Sequence, residues 1–264
     1  LNDFIASALL GLVEGITEFL PVSSTGHLIV AADLLNFRDA GGTFEIVIQL
    51  GAVLAVIVYY ARDLWGQARA LPTCADTRRL WLGIAVAFLP AAALGYLFSD
   101  EITRSLFSPL TVAISLILGG AVLWWIEGRT FPASTTALTQ VSPRQALLVG
   151  CAQCLALVPG VSRSASSIIG GLLTGLDRPT ATAFSFYLSI PTLGLATLYA
   201  LIKGQEALNG MQLGPLLLGL GVSFVTALIV IGWLLRYVSR HNFRGFAVYR
   251  MLAGLVILGW ALWH

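Results

Sequence analysis

Long apolar runs separated by short polar segments make up most of the chain. Runs at roughly 44–61, 80–98, 109–126, 181–202, 213–235 and 246–262 each predict a membrane-spanning helix, since about 20 residues rising 1.5 Å each cross about 30 Å of hydrocarbon. Two regions break this pattern. In the first, residues 4–20 are apolar apart from Ser7, Glu14, Thr17 and Glu18, and Pro21 with a Ser/Thr cluster separates them from a second apolar piece at 28–35. In the second, Ala146–Val158 and Ile168–Leu176 flank Pro159 and another hydroxyl cluster. No piece of either region is a comfortable span. Each region (about 4–35 and about 146–176) therefore predicts a re-entrant hairpin of two short helices. Non-helical backbone at membrane depth is tolerated only where it is buried in protein or lines a cavity.

The order is hairpin, three spans, hairpin, three spans. The expected fold is thus an all-α polytopic membrane protein with six transmembrane helices and two re-entrant hairpins. It forms one membrane domain, 1–264, built from a first repeat over 1–126 and a second over 144–264. An odd number of spans per half turns the second copy upside down. Interrupted segments at matching positions of an inverted-topology repeat point to a site at the membrane midplane. Basic residues set the orientation. Arg62, Arg69, Arg78 and Arg79, then Arg129 and Arg144, then Arg236, Arg240 and Arg244 mark three cytoplasmic connections. The opposite loops, near 99–108 and 203–212, carry Arg104 and Lys203 with Asp100, Glu101 and Glu206. Both termini are expected on the outer side.

Composition agrees with this pattern. Of all residues 57% are hydrophobic and 11% charged, too little polar surface for a soluble domain of this length. The first apolar run holds two glutamates and lacks a basic lead, so it does not read as a cleavable signal peptide. The net charge of +2 gives no indication of nucleic acid. Cys151 and Cys154 have C-x-x-C spacing. They sit in an apolar helical run without a second ligand pair, and read as small buried hydrophobes rather than as a redox or zinc site.

The chemistry lies in the interruptions. Glu14 and Glu18 share a helix face; Pro21 ends that helix; Ser23, Ser24, Thr25, Gly26 and His27 follow. The second interruption reads Pro159-Gly160-Val161-Ser162-Arg163-Ser164-Ala165-Ser166-Ser167. Polar and ionisable groups are costly in lipid and mark function by default. A helix starting at a hydroxyl cluster offers free N–H groups to an anion. Arg163 adds a planar fork for phosphate, and Ser162, Ser164 and Ser167 further donors. Glu14 and Glu18 would repel phosphate unless they held a cation such as Mg²⁺ or served as a base. Ser24 and His27 are both candidate nucleophiles, and His27 is also a candidate proton carrier for Ser24. The two interruptions together point to chemistry on a phosphorylated substrate. Plainer roles stand beside these: hydroxyls as caps, Arg163 as an ion-pair partner of Glu18 or Glu45, His27 as a hydrogen-bonded core residue. Glu45 and Gln49 share a face of the first span, either lining the cavity or bonding to backbone and to each other.

The segments Glu14-Gly-x-x-Glu18-Phe-Leu-Pro-Val-Ser-Ser-Thr-Gly-His27 and Pro159-Gly-x-Ser-Arg-Ser164 closely resemble the two signature motifs of the bacterial undecaprenyl-diphosphate phosphatase family, also called the bacitracin-resistance protein family. The resemblance covers nearly the whole chain. Ser167 stands where the family commonly has threonine, and Ala165 where it often has glycine. The resemblance implies a bacterial inner-membrane hydrolase that converts undecaprenyl diphosphate to undecaprenyl phosphate, the lipid carrier of cell-wall building blocks. It also implies divalent-metal dependence, with Mg²⁺ or Ca²⁺ at Glu14 and Glu18. Ser24 is the implied nucleophile candidate, His27 its acid/base partner or rival, and Arg163 the phosphate clamp. The expected partners are the polyprenyl diphosphate and membrane lipids, with a homo-oligomer left open and no nucleic acid. Lipid phosphatases of the type-2 phosphatidic-acid class are excluded. They need Ser-Arg, five intervening residues and then a histidine, where this chain has Ile169. A polyprenyl-phosphate transporter remains the alternative, since inverted repeats with broken helices are transporter architecture. Carriage alone does not require Glu14, Glu18, Ser24 and His27 together.

Overall fold

The computed structural model describes residues 2–37, 43–129, 131–203 and 212–263, and their regular structure is helical apart from one isolated bridge between Thr135 and Leu176. In chain order the helices are α1 (Asp3–Thr17), α2 (Ser24–Leu34), α3 (Thr43–Tyr59), α4 (Ala61–Ala70), α5 (Ala75–Leu106), α6 (Pro109–Glu127), α7 (Pro143–Gln153), α8 (Arg163–Leu173), α9 (Arg178–Lys203), α10 (Leu213–Val238) and α11 (Arg244–Trp263). Local chemistry sets many of the boundaries. Asn2 caps α1, Ser108 caps α6 ahead of Pro109, and Ser142 and Gln145 form a capping box before α7. Each device satisfies N–H groups left orphaned at a helix start.

Among the described residues five helices are long and apolar enough to cross a membrane: α5, α6, α9, α10 and α11. The α3–α4 pair supplies a sixth if it is counted as one span, and it bends by 65°. The chain is thus an all-helical, multi-pass membrane protein. Two differences from the sequence expectation stand out. Residues 62–70, expected as loop, form the polar helix α4, which has no buried residue and carries Arg69 over the Trp65 ring. Gln67 fastens α4 to its neighbours, donating to the Tyr187 hydroxyl and accepting from Trp81. Helix α5 runs well past the apolar segment 80–98 at both ends. A search for apolar runs finds neither feature, because both are built from polar residues. Part of the 203–212 loop, with Glu206, lies outside the described residues.

Packing partners recur in a regular way. Helix α1 packs on α10 and α7 packs on α5; α10 also packs on α3, and α5 on α9; α6 packs on α11. Two of these contacts depend on small residues. A Cβ on Gly11 would collide with the Gly219 carbonyl, and one on Gly150 with the Ala87 carbonyl. Small residues let helix backbones approach closely where lipid offers no hydrophobic drive to associate. The main core runs through Phe19, Val56, Ile84, Ile168, Phe184, Phe186 and Ile231. The α1–α2 and α7–α8 pairs place their broken tips against one another beside this core.

Candidate active site

The two broken tips use the same backbone device. Ser23 precedes α2 with φ 72°, and Ser162 precedes α8 with φ 77°. Left-handed backbone at a non-glycine residue costs on the order of 1–3 kcal/mol and persists where the surroundings over-determine it. Both serines follow a valine, so Ser24 and Arg163 occupy corresponding places as the first residues of their helices. Gly160, at φ 89°, makes the second turn, and a side chain there would run into Val112 of α6. Ser162 caps α8 by accepting from the Ala165 N–H, whereas Ser23 makes no cap, leaving first-turn amides of α2 for an anion.

Arg250 of α11 ties the tips together, although it reads in sequence as one residue inside the last apolar run. It is fully buried. Nη1 donates to Pro21 O at 3.2 Å, and Nη2 to Gly160 O at 3.2 Å, Val161 O at 2.9 Å and Ser115 O at 3.4 Å. It thereby satisfies carbonyls that irregular backbone would otherwise leave unpaired away from water. The available signal was an unpaired arginine within a span.

Between the tips is a cavity of about 150 Å³, walled by Glu18, Ser23, Ser24, Thr25, Ser162 and Arg163. Gln49 of α3 also lines it. Ser24 Oγ donates to Glu18 Oε2 at 2.6 Å, a buried bond. Glu18 Oε1 accepts from Arg163 Nε and Nη2, each at 3.2 Å, in a buried ion pair. Arg163 Nη1 donates to Ser185 O at 3.1 Å, and the Ser185 hydroxyl lies 2.7 Å from that of Ser167. The Arg163 group also stands over the Phe19 ring. A hydroxyl, a carboxylate and a guanidinium thus form one connected line on the cavity wall. Charge-assisted bonds of this kind are short and directional. Ser185, on α9, was not among the candidate site residues; it follows Phe184 as Glu45 follows Phe44.

The other expected residues fall in several places. Ser164 donates to Leu20 O at 2.8 Å and joins one tip to the other, behind the cavity wall. Ser167 bonds to the carbonyls of Arg163 and Ser164 and braces Ser185. Gly26 packs on Val112 and does not reach the cavity. His27 is not brought to Ser24. Its Nδ1 lies 2.7 Å from Ser23 O and its Nε2 lies 2.7 Å from the Tyr249 hydroxyl, with the two rings stacked. Glu45 is half-buried one turn before Gln49. Cys151 is exposed rather than buried, and Cys154 donates to Gly150 O. An outward, lipid-facing position accepts a small apolar side chain as readily as a core does.

Glu14 is buried one turn behind Glu18, and its Oε1 has no hydrogen-bond partner. The charged groups acting on it are Glu18, Glu45 and Arg163. An orphaned carboxylate oxygen in such a place suits a cation. Among the described residues no group of three or more His, Cys, Asp or Glu is placed to hold a metal ion unaided. The donors therefore fit an ion that takes one or two carboxylates and draws its remaining ligands from phosphate and water, as Mg²⁺ does.

A second, apolar cavity of about 480 Å³ opens between α5 and α9. Arg163, Ala156 and Leu193 line both cavities, so the two adjoin at the guanidinium. Phe88, Tyr96 and Tyr199 line the apolar cavity further out, with the two tyrosine rings edge to face. Both flanking helices contain an interior proline, Pro90 and Pro191.

A polar, arginine-bearing chamber joined to an apolar groove is what an amphiphile with an anionic head would fill, and comparison with known proteins points the same way. The chain is 52% identical over 260 residues to an undecaprenyl-diphosphatase of Deinococcus radiodurans, covering 97% of this chain and 94% of that one. It is 49% identical over 265 residues to undecaprenyl-diphosphatase 1 of Burkholderia cenocepacia, covering 97% and 96%. Against undecaprenyl-diphosphatase 1 of Chromobacterium violaceum it is 49% identical over 255 residues, covering 96% and 94%. The family model described as Bacitracin resistance protein BacA matches residues 7–256, which takes in both hairpin tips and Arg250, and the chain belongs to that family.

Proposed function

We propose that this chain is an undecaprenyl-diphosphatase: a membrane hydrolase that removes the terminal phosphate of undecaprenyl diphosphate and returns the monophosphate carrier to cell-wall synthesis. The observation that carries this reading is the 2.6 Å bond from Ser24 Oγ to Glu18, beside Arg163, in a cavity between two helix starts. Carriage of a phospholipid would use the arginine and the helix starts but has no need of a hydroxyl held on a carboxylate.

In this reading the terminal phosphate occupies the smaller cavity. Its oxygens take donors on the Arg163 fork now held by Glu18, and amides at the start of α2. Ser24 Oγ attacks the terminal phosphorus and passes its proton to Glu18 Oε2. The bond between that phosphorus and the bridging oxygen breaks, and the lipid monophosphate leaves with the bond's electrons. The departing phosphate takes the proton from Glu18. The restored carboxylate then draws a proton from water as it attacks the phosphoserine, and Ser24 regains it as inorganic phosphate leaves. Positioning and charge neutralisation carry most of such a rate. Glu18 is the base in this scheme; His27, tied at both nitrogens, orients the tip and Tyr249. Mg²⁺ is the proposed cofactor, held by Glu14 and Glu18, and it would supply charge neutralisation on the diphosphate. Ca²⁺, which takes about six to eight oxygens, fits this sparse donor set less well.

The proposed architecture is six spans and two re-entrant hairpins in an inverted repeat within one membrane domain. The exchange of packing partners supports it: α1 with α10 answers to α7 with α5, and α3 with α10 to α9 with α5. The distribution of arginines supports a bacterial inner-membrane location with both termini on the periplasmic side. The apolar groove between α5 and α9 receives the first part of the polyprenyl chain, and the rest extends into the bilayer. One chain holds the whole site, so turnover needs no partner copy. The test is release of inorganic phosphate from undecaprenyl diphosphate by the purified protein. The native chain is expected to release it and Ser24→Ala to lose that activity; phosphate release at the native rate by Ser24→Ala would overturn the serine scheme.

A further inference from the structure

Gln153 is the last residue of α7 and is 1% exposed. It lines the apolar groove together with Arg163 and Thr192, close to where that groove joins the smaller polar cavity. Its amide is poorly used. Nε2 lies 3.4 Å from Thr192 Oγ1, a long contact, and Oε1 has no partner. The Thr192 hydroxyl already donates to Leu188 O at 2.8 Å. A buried amide left half-satisfied in an apolar wall opposes folding, and groups retained at such a cost cluster at functional sites. None of the roles assigned to the hairpin tips uses it.

The covalent order of the substrate gives it one. In a prenyl diphosphate the inner, α-phosphate lies between the terminal phosphate and the hydrocarbon. With the terminal phosphate at Ser24 and the chain in the groove, the α-phosphate must lie at the seam. Arg163 borders both cavities there, and Gln153 is the uncharged amide on the groove side. Half a turn about its last bond exchanges the amide's donor and acceptor ends. The N–H groups then take the position of the unpartnered Oε1, and the oxygen takes the one now beside Thr192. We propose that Gln153 is a substrate-binding residue whose amide donates to the α-phosphate, the phosphate that stays on the lipid. This rests on the phosphatase reading above and adds to it a separate subsite for the group that is not transferred. The α-phosphate is common to substrate and lipid product, so Gln153 should govern affinity for both. It should have no influence on inorganic phosphate, which occupies the Ser24 cavity.

The experiment compares the native chain with Gln153→Leu in detergent micelles. A hydrogen bond to a charged group is worth about tenfold or more in affinity. The expected result is a KM for undecaprenyl diphosphate raised about tenfold, and inhibition by undecaprenyl phosphate weakened about tenfold. Inhibition by inorganic phosphate should match the native chain. The melting temperature should hold or rise, because an unpaired buried group has been removed; a merely structural amide would lower it. Gln153→Glu, which sets a carboxylate against the phosphate, should weaken lipid binding further and decides the matter if the leucine variant does not fold. Native KM and native inhibition by undecaprenyl phosphate in a folded variant would overturn the proposal. If the native protein releases no phosphate, the phosphatase reading fails by itself. Direct binding of undecaprenyl phosphate then still tests Gln153, with equal affinity in native and variant chains counting against it.

Discussion

At the scale of single residues the account rests on the line Ser24–Glu18–Arg163. The Arg163 fork holds Glu18 through two nitrogens and reaches the Ser185 carbonyl with the third. Lysine keeps the charge but has a single, point-like ammonium and cannot make that set of bonds. Arg163→Lys should therefore lower turnover on the order of a hundredfold while still inserting and purifying, as measured by phosphate release. Native turnover would remove the clamp. Glu18→Gln keeps size and hydrogen-bonding reach but removes the base, and should be comparably impaired. The sequence made these residues legible because they are ionisable groups in apolar surroundings, a local signal. His27 was equally visible, yet its actual partner, the Tyr249 hydroxyl, lies 222 residues away in the chain. No local pattern discloses such a contact. Gln153 was hidden for the same reason: an amide in a helical run acquires meaning only from the two cavities beside it.

At the scale of elements, the hairpin tips are held by α11 as much as by their own sequence. Arg250 bonds to carbonyls from both tips and from α6, and does not line either cavity. Arg250→Met removes these bonds and leaves buried carbonyls unpaired. The expected cost is about 3 kcal/mol or more, seen as a lower melting temperature in detergent. Turnover should fall with it, because the starts of α2 and α8 lose their common anchor. An unchanged melting temperature would show that the tips hold themselves. The opposite sign is expected at Ser23, whose φ of 72° glycine adopts freely. Ser23→Gly should relieve backbone strain on the order of 1 kcal/mol, seen as a higher melting temperature in detergent. The rough positions of the long helices were legible from the apolar runs. Helix α4 and the ends of α5 were not, because their stability comes from contacts such as Gln67 with Tyr187 and Trp81, not from an apolar run.

At the scale of the whole molecule, two claims remain exposed to test. The first is orientation. A cysteine at Ala70, in a background lacking the native cysteines, should resist an impermeant thiol reagent applied from the outer face and react when the inner face is opened. Labelling from outside would invert the topology. The second is the cation. Glu14 offers an unpaired oxygen, but among the described residues no cluster of three ligands surrounds it. Binding that depends so much on substrate oxygens should be weak and reversible. Chelation should abolish turnover, added Mg²⁺ should restore it, and Glu14→Gln, which leaves the base in place, should need a higher Mg²⁺ concentration for the same rate. Full activity in chelator would leave the carboxylates with a base role alone. The two interruptions were legible from the recurrence of proline and hydroxyls between apolar segments. The way the two tips meet was not, since it depends on packing partners far apart in sequence.

The central claim is that Ser24 attacks the terminal phosphate, and trapping the covalent species tests it most directly. The purified protein is mixed with undecaprenyl diphosphate labelled in its terminal phosphate, quenched within the first turnover, digested, and mapped. The account predicts an acid-stable, base-labile phosphate on the peptide containing Ser24, absent from Ser24→Ala. An acid-labile phosphate on His27 would contradict it, as would a chain that turns over normally with no label on Ser24.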